Sequence, residues 1–357
     1  MLYLVTGATG HVGFNLVKLL TEHNIKIRAL VLPHDDISKI EPLNLEIVYG
    51  DITDKTSLYP LFDNIDEEVC LIHAAGIISI NNKADDLMTL VNVQGTKNII
   101  DLAIEKKINH IIYTSSVHAI KEEGKKGLMT ETDVFDESLV VGAYAKTKAI
   151  ATKYVVEQMK AGHPITIVHP AGVIGPYDFR KGHMTKLVEK YLNKSLGARV
   201  SGGYNFVDVR DVVDAIYQLA EKRILGTYIL SGHYVSLKDF FAVLKTISGR
   251  KGHITVLANR FVKLFTPMIE RYYRMKKKPP LFTAYSLYTL QSNSNFSNDK
   301  VKEVINYQPR RIETTLYDTA MWLIEDKALR HQRIINYLKS KVGLSLFLKK
   351  HRSGPTL

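Results

Sequence analysis

The segment TGATGHVG, residues 6–13, constrains the fold of this chain more than any other stretch. It joins an apolar run, YLVT, to a segment with helical spacing of apolar residues, VGFNLVKLL. Glycines in a turn between a strand and a helix are typical of sites that receive the pyrophosphate of a dinucleotide. Gly7 allows the tight turn, Gly10 lets the backbone approach the pyrophosphate, and Gly13 lets helix and strand pack closely. The amino end of the helix then offers N–H groups and partial positive charge to the phosphates.

Up to residue 170, short apolar runs alternate with segments of helical spacing. The runs are rich in Val, Ile and Leu, which is typical of strands covered on both faces. Strand–helix repetition implies right-handed crossovers, so we expect an α/β fold with a Rossmann-type, doubly wound parallel sheet. The predicted strands are YLVTG, IRALVL, LEIVYG, EVCLIH, INHIIYTSS and ITIVHP, and the predicted helices are HVGFNLVKLLTEH, DDLMTLVNVQGTKNIIDLAIEKK and AYAKTKAIATKYVVEQM.

Beyond this region the pattern loosens. A helix is predicted at KGHMTKLVEKYLNKS, another opens within FVDVRDVVDAIYQLAEKR, and GTYILSG predicts a further strand. Ser236 is the expected N-cap of the helix SLKDFFAVLKTISG, and the rest of the chain is mainly helical with a polar break at QSNSNFSND. We therefore expect a dinucleotide-binding domain of residues 1–169 with 206–232, and a smaller, mainly helical substrate domain of residues 170–205 with 233–357.

Composition is that of a soluble globular protein, with 45% hydrophobic and 24% charged residues. The single cysteine, Cys70, excludes an internal disulfide framework and is expected to be a small core residue in VCLIH. No Cys and His residues stand at metal-ligand spacing, so we expect no metal site. Because MLYLVTGATG begins as a strand and no apolar run approaches the length of a membrane span, we expect a cytoplasmic protein.

The formal net charge is +12, and the excess gathers in residues 271–278 and 339–352. Solvated basic faces are the first interpretation. Aromatic and apolar residues interleave with these charges, so peripheral contact with an anionic membrane surface is the second. No signature of a nucleic-acid-binding module is present, and we expect no nucleic acid partner.

Three further stretches are expected to lie at the dinucleotide site. GDITD places Asp51 at a strand end, where its carboxylate can accept a hydrogen bond from an adenine amino group. HAAG, residues 73–76, supplies small residues where a cofactor would cross the strand ends. VNVQGTKN places Asn92 in the helix that begins beside them.

These motifs occur together in a known order. TGATGHVG, GDITD, HAAG, NVQGT, YTSS, YAKTK, HPAGVIGP and FVDVRDV resemble the extended short-chain dehydrogenase/reductases, in particular the dihydroflavonol 4-reductase-like and 3β-hydroxysteroid dehydrogenase-like branch. The resemblance covers residues 2–232 and implies hydride transfer between a nicotinamide and a carbonyl or secondary alcohol of a small, apolar substrate. The cofactor-binding residues it implies are Gly7, Thr9, Gly10, His11, Val12, Gly13, Asp51, Ile52, Ala74, Ala75, Gly76, Asn92, Tyr144, Lys148, Pro170 and Val173.

The family's catalytic Tyr-x-x-x-Lys pair corresponds to Tyr144 and Lys148. This spacing occurs six times in the chain, and the other copies begin at Tyr177, Tyr234, Tyr272, Tyr273 and Tyr337. In the family the pair lies on the long helix after strand five, and only YAKTK satisfies that order. Residues four apart share a helix face, so we expect the Lys148 charge to lower the pKa of the Tyr144 phenol. Lys148 is also expected to hydrogen-bond the nicotinamide ribose.

The family's catalytic serine corresponds to Ser116 in YTSS, whose hydroxyl would bind the substrate oxygen. Ser115 is the alternative, one position earlier. The far wall of the substrate site is expected from HPAGVIGPYDFRKGHM with Tyr204 and Phe206, and RFVKLFTPMIERYY could cap an apolar pocket. Structural roles are favoured for His169, Arg180 and His183, which lie in this region.

The choice of cofactor and the type of reaction stay open. Strand two ends in VLPH, without the Arg that holds an NADP phosphate in relatives. Arg28 stands too early to replace it, and His34 and Lys39 are the other candidates. Resemblance to the branch favours NADP, whereas Asp35 and Asp36 favour NAD. A nucleotide-sugar epimerase or dehydratase is the alternative on the same fold, although Arg310–Arg311 is a poor diphosphate site. A non-catalytic cofactor sensor and a membrane-associated scaffold are further alternatives, and a homodimer is expected by analogy with the family.

Overall fold

A computed structural model describes residues 1–79, 86–124, 127–252, 254–260 and 283–340, together with the single positions 262, 264, 268 and 275. Most of the proposed apolar cap, of the basic run and of the basic tail therefore lies outside the described residues.

A seven-stranded parallel sheet forms the centre of the amino-terminal part of the chain, as the sequence predicted. Its strand order, β10-β6-β5-β4-β1-β2-β3, reverses direction beside β1, as in a doubly wound fold. The strands are β1 (Leu2–Thr6), β2 (Lys26–Val31), β3 (Glu46–Tyr49), β4 (Val69–His73), β5 (His110–Thr114), β6 (Ile165–Pro170) and β10 (Gly226–Leu230).

The helices that follow these strands are α1 (His11–Glu22), α2 (Asp86–Thr89), α3 (Thr96–Glu105), α4 (Ala143–Lys160) and α6 (Val209–Glu221). Apolar residues of β1 and β4 are completely buried between the helical layers, with Leu4, Val5 and Leu71 each 0% exposed. This burial on both faces explains the continuous apolar runs in the sequence. All strand carboxyl ends of the parallel sheet lie at one edge, where an open α/β sheet binds its ligands.

A second, smaller sheet has the order β11-β9-β7. Its strands are β7 (Gly172–Ile174), β9 (Gly203–Asp208) and β11 (His233–Ser236), and the short strands β8 (Ala198–Arg199) and β12 (Thr255–Val256) pair with each other. The helices around them are α5 (His183–Leu192), α7 (Leu237–Ser248), α8 (Ala284–Thr289), α10 (Ile312–Glu325) and α11 (Gln332–Ser340), and α9 (Asp299–Val304) precedes α10. Ser236 caps α7 as expected, accepting a hydrogen bond from the Asp239 amide at 3.1 Å.

The described contacts divide the chain into two compact units. The first contains Met1–Ala171, Arg210–Ser231 and Asn295–Gln308, and the second contains Gly172–Val209, Gly232–Ser294 and Pro309–Leu357. Helix α9 lies in the first unit, and the domain boundaries expected from the sequence stay a prediction.

One predicted helix has a different form. The segment DDLMTLVNVQGTKNIIDLAIEKK was expected to be continuous, but residues Leu90–Gly95 form a π-helical turn between α2 and α3. A π turn contains an extra residue, and such turns often occur at functional sites. Its geometry at Asn92 is described below.

Candidate active site

The glycine turn holds α1 tightly against the end of β1. Gly7 has a φ of +77°, and a Cβ there would lie 2.7 Å from the amide nitrogen of Ala75. A Cβ on Gly13 would lie 2.0 Å from the carbonyl oxygen of Gly7, so only glycine permits this packing. At Gly10 a Cβ would meet, among the described residues, only that same carbonyl oxygen, at 3.2 Å. The turn is therefore open on the side where a pyrophosphate would approach the amino end of α1.

Residues Thr9, His11 and Val12 lie in this turn and in the first turn of α1. Thr9 Oγ1 donates a hydrogen bond to Asp35 Oδ2 at 2.6 Å. Asp35 stands in the segment after β2, four positions past the last strand residue, Val31. This hydrogen bond joins the glycine turn to Asp35, one of the two acidic residues that the sequence analysis weighed in the choice of cofactor.

The segment after β3 is fixed by its own hydrogen bonds. Asp51 Oδ1 accepts from the amide and from Oγ1 of Thr53, each at 2.8 Å. Ile52 is buried, and its carbonyl oxygen accepts from Asn98 Nδ2 at 2.8 Å. This places both predicted residues at the carboxyl edge of the sheet.

The segment after β4 runs beside Thr6, the last residue of β1. The amides of Ala74 and Ala75 donate to the carbonyl oxygen and to Oγ1 of Thr6, each at 3.3 Å. A Cβ on Gly76 would lie 3.3 Å from Asn92 Oδ1 and 3.7 Å from Lys148 Nζ. A small residue at this position therefore lets the backbone run close to both side chains.

Helix α4 carries Tyr144 and Lys148 into a buried position at the end of β5. The helix begins after Gly142, whose φ is +101°, and the two side chains are 7% and 5% exposed. Lys148 Nζ donates to the carbonyl oxygen of Thr114 at 2.8 Å and lies 5.0 Å from the ring centroid of Tyr113. The last residues of β5 therefore fix the ammonium group.

The two serines after β5 have different partners. Ser116 Oγ accepts from the amide of His118 at 3.2 Å and lies close enough to the Tyr144 hydroxyl to oppose the rise in the pKa of Tyr144. Ser115 Oγ instead lies 2.6 Å from Thr152 Oγ1, further along α4. Of the two serines, Ser116 is the one placed to share a substrate oxygen with Tyr144.

The pKa of Tyr144 differs from the lowered value expected from the sequence. Burial raises the pKa of Tyr144 to about 12, and the hydrogen bond with Ser116 opposes this only in part. Burial lowers the pKa of Lys148 to about 8. The prediction that Lys148 sets a lowered pKa for Tyr144 is wrong for this structure, because desolvation of the phenolate dominates. Tyr144 is a neutral phenol at neutral pH and can act as a proton donor.

Asn92 lies in the π turn, and its amide is fully engaged with the protein. Its Oδ1 accepts from the Ile77 amide at 2.8 Å, and its Nδ2 donates to the Ile77 carbonyl oxygen at 2.9 Å. Nδ2 also donates to Thr147 Oγ1 at 3.1 Å. Thr147 in turn donates to the carbonyl oxygen of Tyr144 at 2.9 Å. Asn92 thus ties the segment after β4 to α4 at Thr147.

His169 and Pro170 end β6 in the first unit. His169 Nδ1 lies 3.3 Å from the carbonyl oxygen of Ser116, and Nε2 lies 3.0 Å from Thr227 Oγ1. Its ring stacks on Phe135 with centroids 5.5 Å apart. Both ring nitrogens therefore have structural partners.

Several other predicted residues belong to the second unit. Val173 lies in β7, and Tyr204 and Phe206 lie in β9 with ring centroids 6.0 Å apart. Arg180 stands three positions before α5, and His183, whose pKa is lowered chiefly by burial, begins that helix. Their role in a substrate site stays a prediction.

The other described copies of Tyr-x-x-x-Lys have different surroundings. Tyr177 has a φ of +64°, which is incompatible with a helix. Tyr234 lies in β11 and is 61% exposed, and Tyr337 is 38% exposed. Tyr272 and Tyr273 lie outside the described residues.

Sequence reasoning missed Thr147, Thr96 and His73, which support Asn92. The available signal was a set of polar residues on the buried faces of α3 and α4 and at the end of an otherwise apolar strand. Such residues need hydrogen-bond partners inside the protein.

Across the described parts of the chain, none of the helices combines the length and hydropathy that a membrane crossing needs. Within those same parts, His, Cys, Asp and Glu side chains form no group of three or more that could hold a metal ion.

Comparison with known proteins finds a matching family model, related proteins and a similar solved structure. The model of the NAD dependent epimerase/dehydratase family matches residues 3–229. Sterol demethylase protein B of Methylococcus capsulatus is 26% identical over 332 residues, which cover 91% of this chain and 99% of that protein. The Synechocystis protein named "Putative dihydroflavonol 4-reductase" is 32% identical over 253 residues, covering 69% of this chain and 72% of that protein. The crystal structure of gox2253 superposes with a TM-score of 0.79 at 29% identity, covering 92% and 99% of the two chains.

Proposed function

The chain belongs to the NAD dependent epimerase/dehydratase family and is an NAD(P)-dependent oxidoreductase, and we propose that it interconverts a ketone and a secondary alcohol on a small, largely apolar ring compound. The observation that carries this proposal is that Ser116, Tyr144 and Lys148 are all buried where α4 packs on the segment after β5, with Lys148 Nζ donating to the Thr114 carbonyl oxygen at 2.8 Å. Two relatives, named for a sterol demethylase and a dihydroflavonol reductase, support the class of substrate.

Each member of the proposed catalytic group has a distinct task. In the direction of reduction, Tyr144 donates its phenolic proton to the carbonyl oxygen while Ser116 donates a hydrogen bond to the same atom. The Lys148 ammonium is held at the end of β5 by the Thr114 carbonyl oxygen, and it would donate a hydrogen bond to the nicotinamide ribose when the cofactor is bound. When bound, the nicotinamide supplies the hydride for the carbonyl carbon. In the direction of oxidation the same residues take the proton from the alcohol.

The glycine turn supports binding of a dinucleotide. Gly10 precedes α1 and contributes no side chain as N-cap, so the amino end of the helix faces the open side of the turn. A pyrophosphate placed there receives hydrogen bonds from backbone N–H groups and a favourable helix dipole. Asn92, which the sequence assigned to direct contact with the cofactor, is proposed instead to position α4.

We propose NAD rather than NADP, which the family branch had favoured. Asp35 accepts a hydrogen bond from Thr9 in the glycine turn. A carboxylate there can accept from the hydroxyls of the adenosine ribose, and it repels a 2′-phosphate. Arg28 is committed elsewhere, because its guanidinium donates to Glu46, to the Leu61 carbonyl and to the Asp63 carbonyl at 2.7, 3.1 and 2.7 Å.

A cytoplasmic setting is part of the same proposal. It is supported by the one cysteine, Cys70, which is a buried free thiol. Proteins of oxidising compartments more often carry paired cysteines.

The proposal is tested by titrating the purified protein with NADH and NADPH and then screening sterol-type ketones, dihydroflavonols and simple aldehydes. Consumption of the reduced cofactor with one class of ketone is expected, with NADH the better donor. Failure to bind either cofactor would refute the assignment of the glycine turn. If NAD stays tightly bound, no added ketone consumes reduced cofactor and a nucleotide sugar is epimerised, the epimerase alternative is correct.

A further inference from the structure

His73 is a completely buried histidine at the end of β4 that the proposed chemistry does not use. Its side chain is 0% exposed, and its ring stacks on Tyr113 with centroids 5.8 Å apart. Nδ1 lies 2.7 Å from Thr6 Oγ1, and Nε2 lies 3.1 Å from Thr96 Oγ1. The ring therefore joins β1, which leads into the glycine turn, to the start of α3.

The available protons fix the direction of these hydrogen bonds. Thr96 Oγ1 donates its one proton to the Asn92 carbonyl oxygen at 2.8 Å, since a carbonyl can only accept. Thr96 must therefore accept from the Nε2–H of His73. Burial lowers the pKa of His73 to about 3, so the ring is neutral and Nδ1 accepts from Thr6. The Ala75 amide, 3.3 Å from Thr6 Oγ1, begins the chain as a donor.

This chain of hydrogen bonds ends at Asn92, whose side chain contacts α4. The Asn92 carbonyl that Thr96 holds belongs to the π turn, Leu90–Gly95. The Asn92 side chain binds the backbone of Ile77 and donates to Thr147 at 3.1 Å. A shift of the turn would therefore move the contact that α4 makes just before Lys148.

We propose that His73 and Thr96 are positioning residues for the oxidoreductase site, because their hydrogen bonds hold the Asn92 turn against which α4 is placed. The inference rests on the proposed function of Tyr144 and Lys148. A buried polar network with every member satisfied has one favoured arrangement, which makes it a precise support. Misplacing reacting groups by about 1 Å can cost about 100-fold in rate.

The sheet contains a matched pair for comparison. At the opposite edge, His110 Nε2 lies 2.7 Å from Thr166 Oγ1, and Thr166 donates to the Ile224 carbonyl at 2.6 Å. Because Thr166 donates its one hydroxyl proton to the Ile224 carbonyl, it must accept from the Nε2–H of His110. His110 and Thr166 are 1% and 0% exposed, as buried as His73 and Thr96. Replacing either threonine by valine leaves one imidazole N–H and one carbonyl without their partner.

The test compares Thr96→Val, Thr166→Val and Thr96→Ser in the full chain, with a ketone that the wild type reduces. For Thr96→Val, kcat should fall about 10- to 100-fold while the dissociation constant for NADH stays within about twofold. Thr166→Val should lose comparable stability to urea and keep kcat. Thr96→Ser restores the hydroxyl and should recover most of the lost kcat.

Nitrogen-15 NMR of the histidine rings gives a second readout that does not depend on activity or on folding of the variants. We expect wild-type His73 to be neutral and protonated on Nε2 throughout the range from pH 5 to pH 8. A proton on Nδ1, or equal loss of kcat in Thr96→Val and Thr166→Val, would overturn the inference. If the wild type reduces no ketone, the proposed function fails, and the NMR result still decides whether the hydrogen-bond chain exists.

Discussion

Ser115 and Ser116 are neighbours at the end of β5, yet their hydroxyls act on different parts of the site. Ser115 bonds Thr152 at 2.6 Å, and Thr152 donates to the carbonyl oxygen of Lys148 at 2.6 Å. Ser116 instead opposes the rise in the pKa of the Tyr144 phenol. At the scale of single residues, the first serine supports the helix and the second is the proposed catalytic partner of Tyr144.

The acidity of Lys148 predicts an upper pH limit for activity. Burial lowers its pKa to about 8, so its positive charge is present below that pH and is lost above it. Because kcat/KM reports the titration of the free enzyme, it should decline as the pH rises through about 8. The measurement is kcat/KM for ketone reduction between pH 6 and pH 10. A profile that stays level to pH 10 would contradict this role of the ammonium.

Asp35 predicts the preference between the two cofactors. Asp35→Asn removes the charge beside Thr9, so affinity for NADPH relative to NADH should rise about tenfold, or roughly 1.4 kcal/mol. Asp36→Asn is the matched control, because Asp36 Oδ1 accepts from the Ser38 amide in the same segment. Fluorescence titration gives both dissociation constants. An equal effect of the two substitutions would show that Asp35 has no special position.

At the scale of elements, the sheet was predictable because continuous apolar runs identify strands buried on both faces. All seven predicted strands of the central sheet occur, from β1 to β10. The π turn was not predictable from the spacing of apolar residues, because buried residues recur at helical spacing from α2 through to α3. It depends on contacts distant in sequence, such as those of Asn92 with Ile77 and Thr147.

Parts of the candidate site could be predicted and others could not. The glycine turn and the pair of Tyr144 and Lys148 follow from local motifs whose context is visible in the sequence. The raised pKa of Tyr144 and the hydrogen bond from Thr9 to Asp35 depend on burial and on the path of the loop after β2. Neither burial nor loop path can be read from residue spacing.

The packing of α1 on the glycine turn predicts a sharp effect at Gly13. Gly13→Ala places a methyl group 2.0 Å from the Gly7 carbonyl, so the helix must move. The free energy of unfolding should fall by about 3 kcal/mol, and NADH binding should be lost. Gly197→Ala is the control, because a Cβ there meets no described atom within 4 Å. Urea unfolding and NADH titration compare the two variants, and equal behaviour would refute the packing argument.

At the scale of the whole molecule, the two units are separately compact, and the charge of +12 belongs to the chain as a whole. The basic run and the tail, on which the expected membrane contact depends, lie mostly outside the described residues. Membrane contact, the homodimer and the boundaries of the substrate domain stay predictions.

Buried neutral histidines predict loss of stability in acid. Burial lowers the pKa of His73 to about 3, of His110 to about 4 and of His169 to about 4. Below the unfolded value of about 6.5, the unfolded chain binds more protons than the folded chain, so the free energy of unfolding falls as the pH falls. Each histidine contributes up to about 1.4 kcal/mol per pH unit between its two pKa values. Urea unfolding at pH 7, 6 and 5 measures the slope, and unchanged stability over this range would contradict the burial of these rings as neutral groups.

The central claim is that Tyr144 transfers the proton, and it is tested most directly by comparing Tyr144→Phe with Tyr234→Phe. Both residues stand four positions before a lysine, but Tyr144 is 7% exposed and Tyr234 is 61% exposed. In steady-state reduction of a ketone by NADH, Tyr144→Phe should lower kcat by about 100-fold or more, and Tyr234→Phe should leave it unchanged. Turnover by Tyr144→Phe at the wild-type rate would contradict the account.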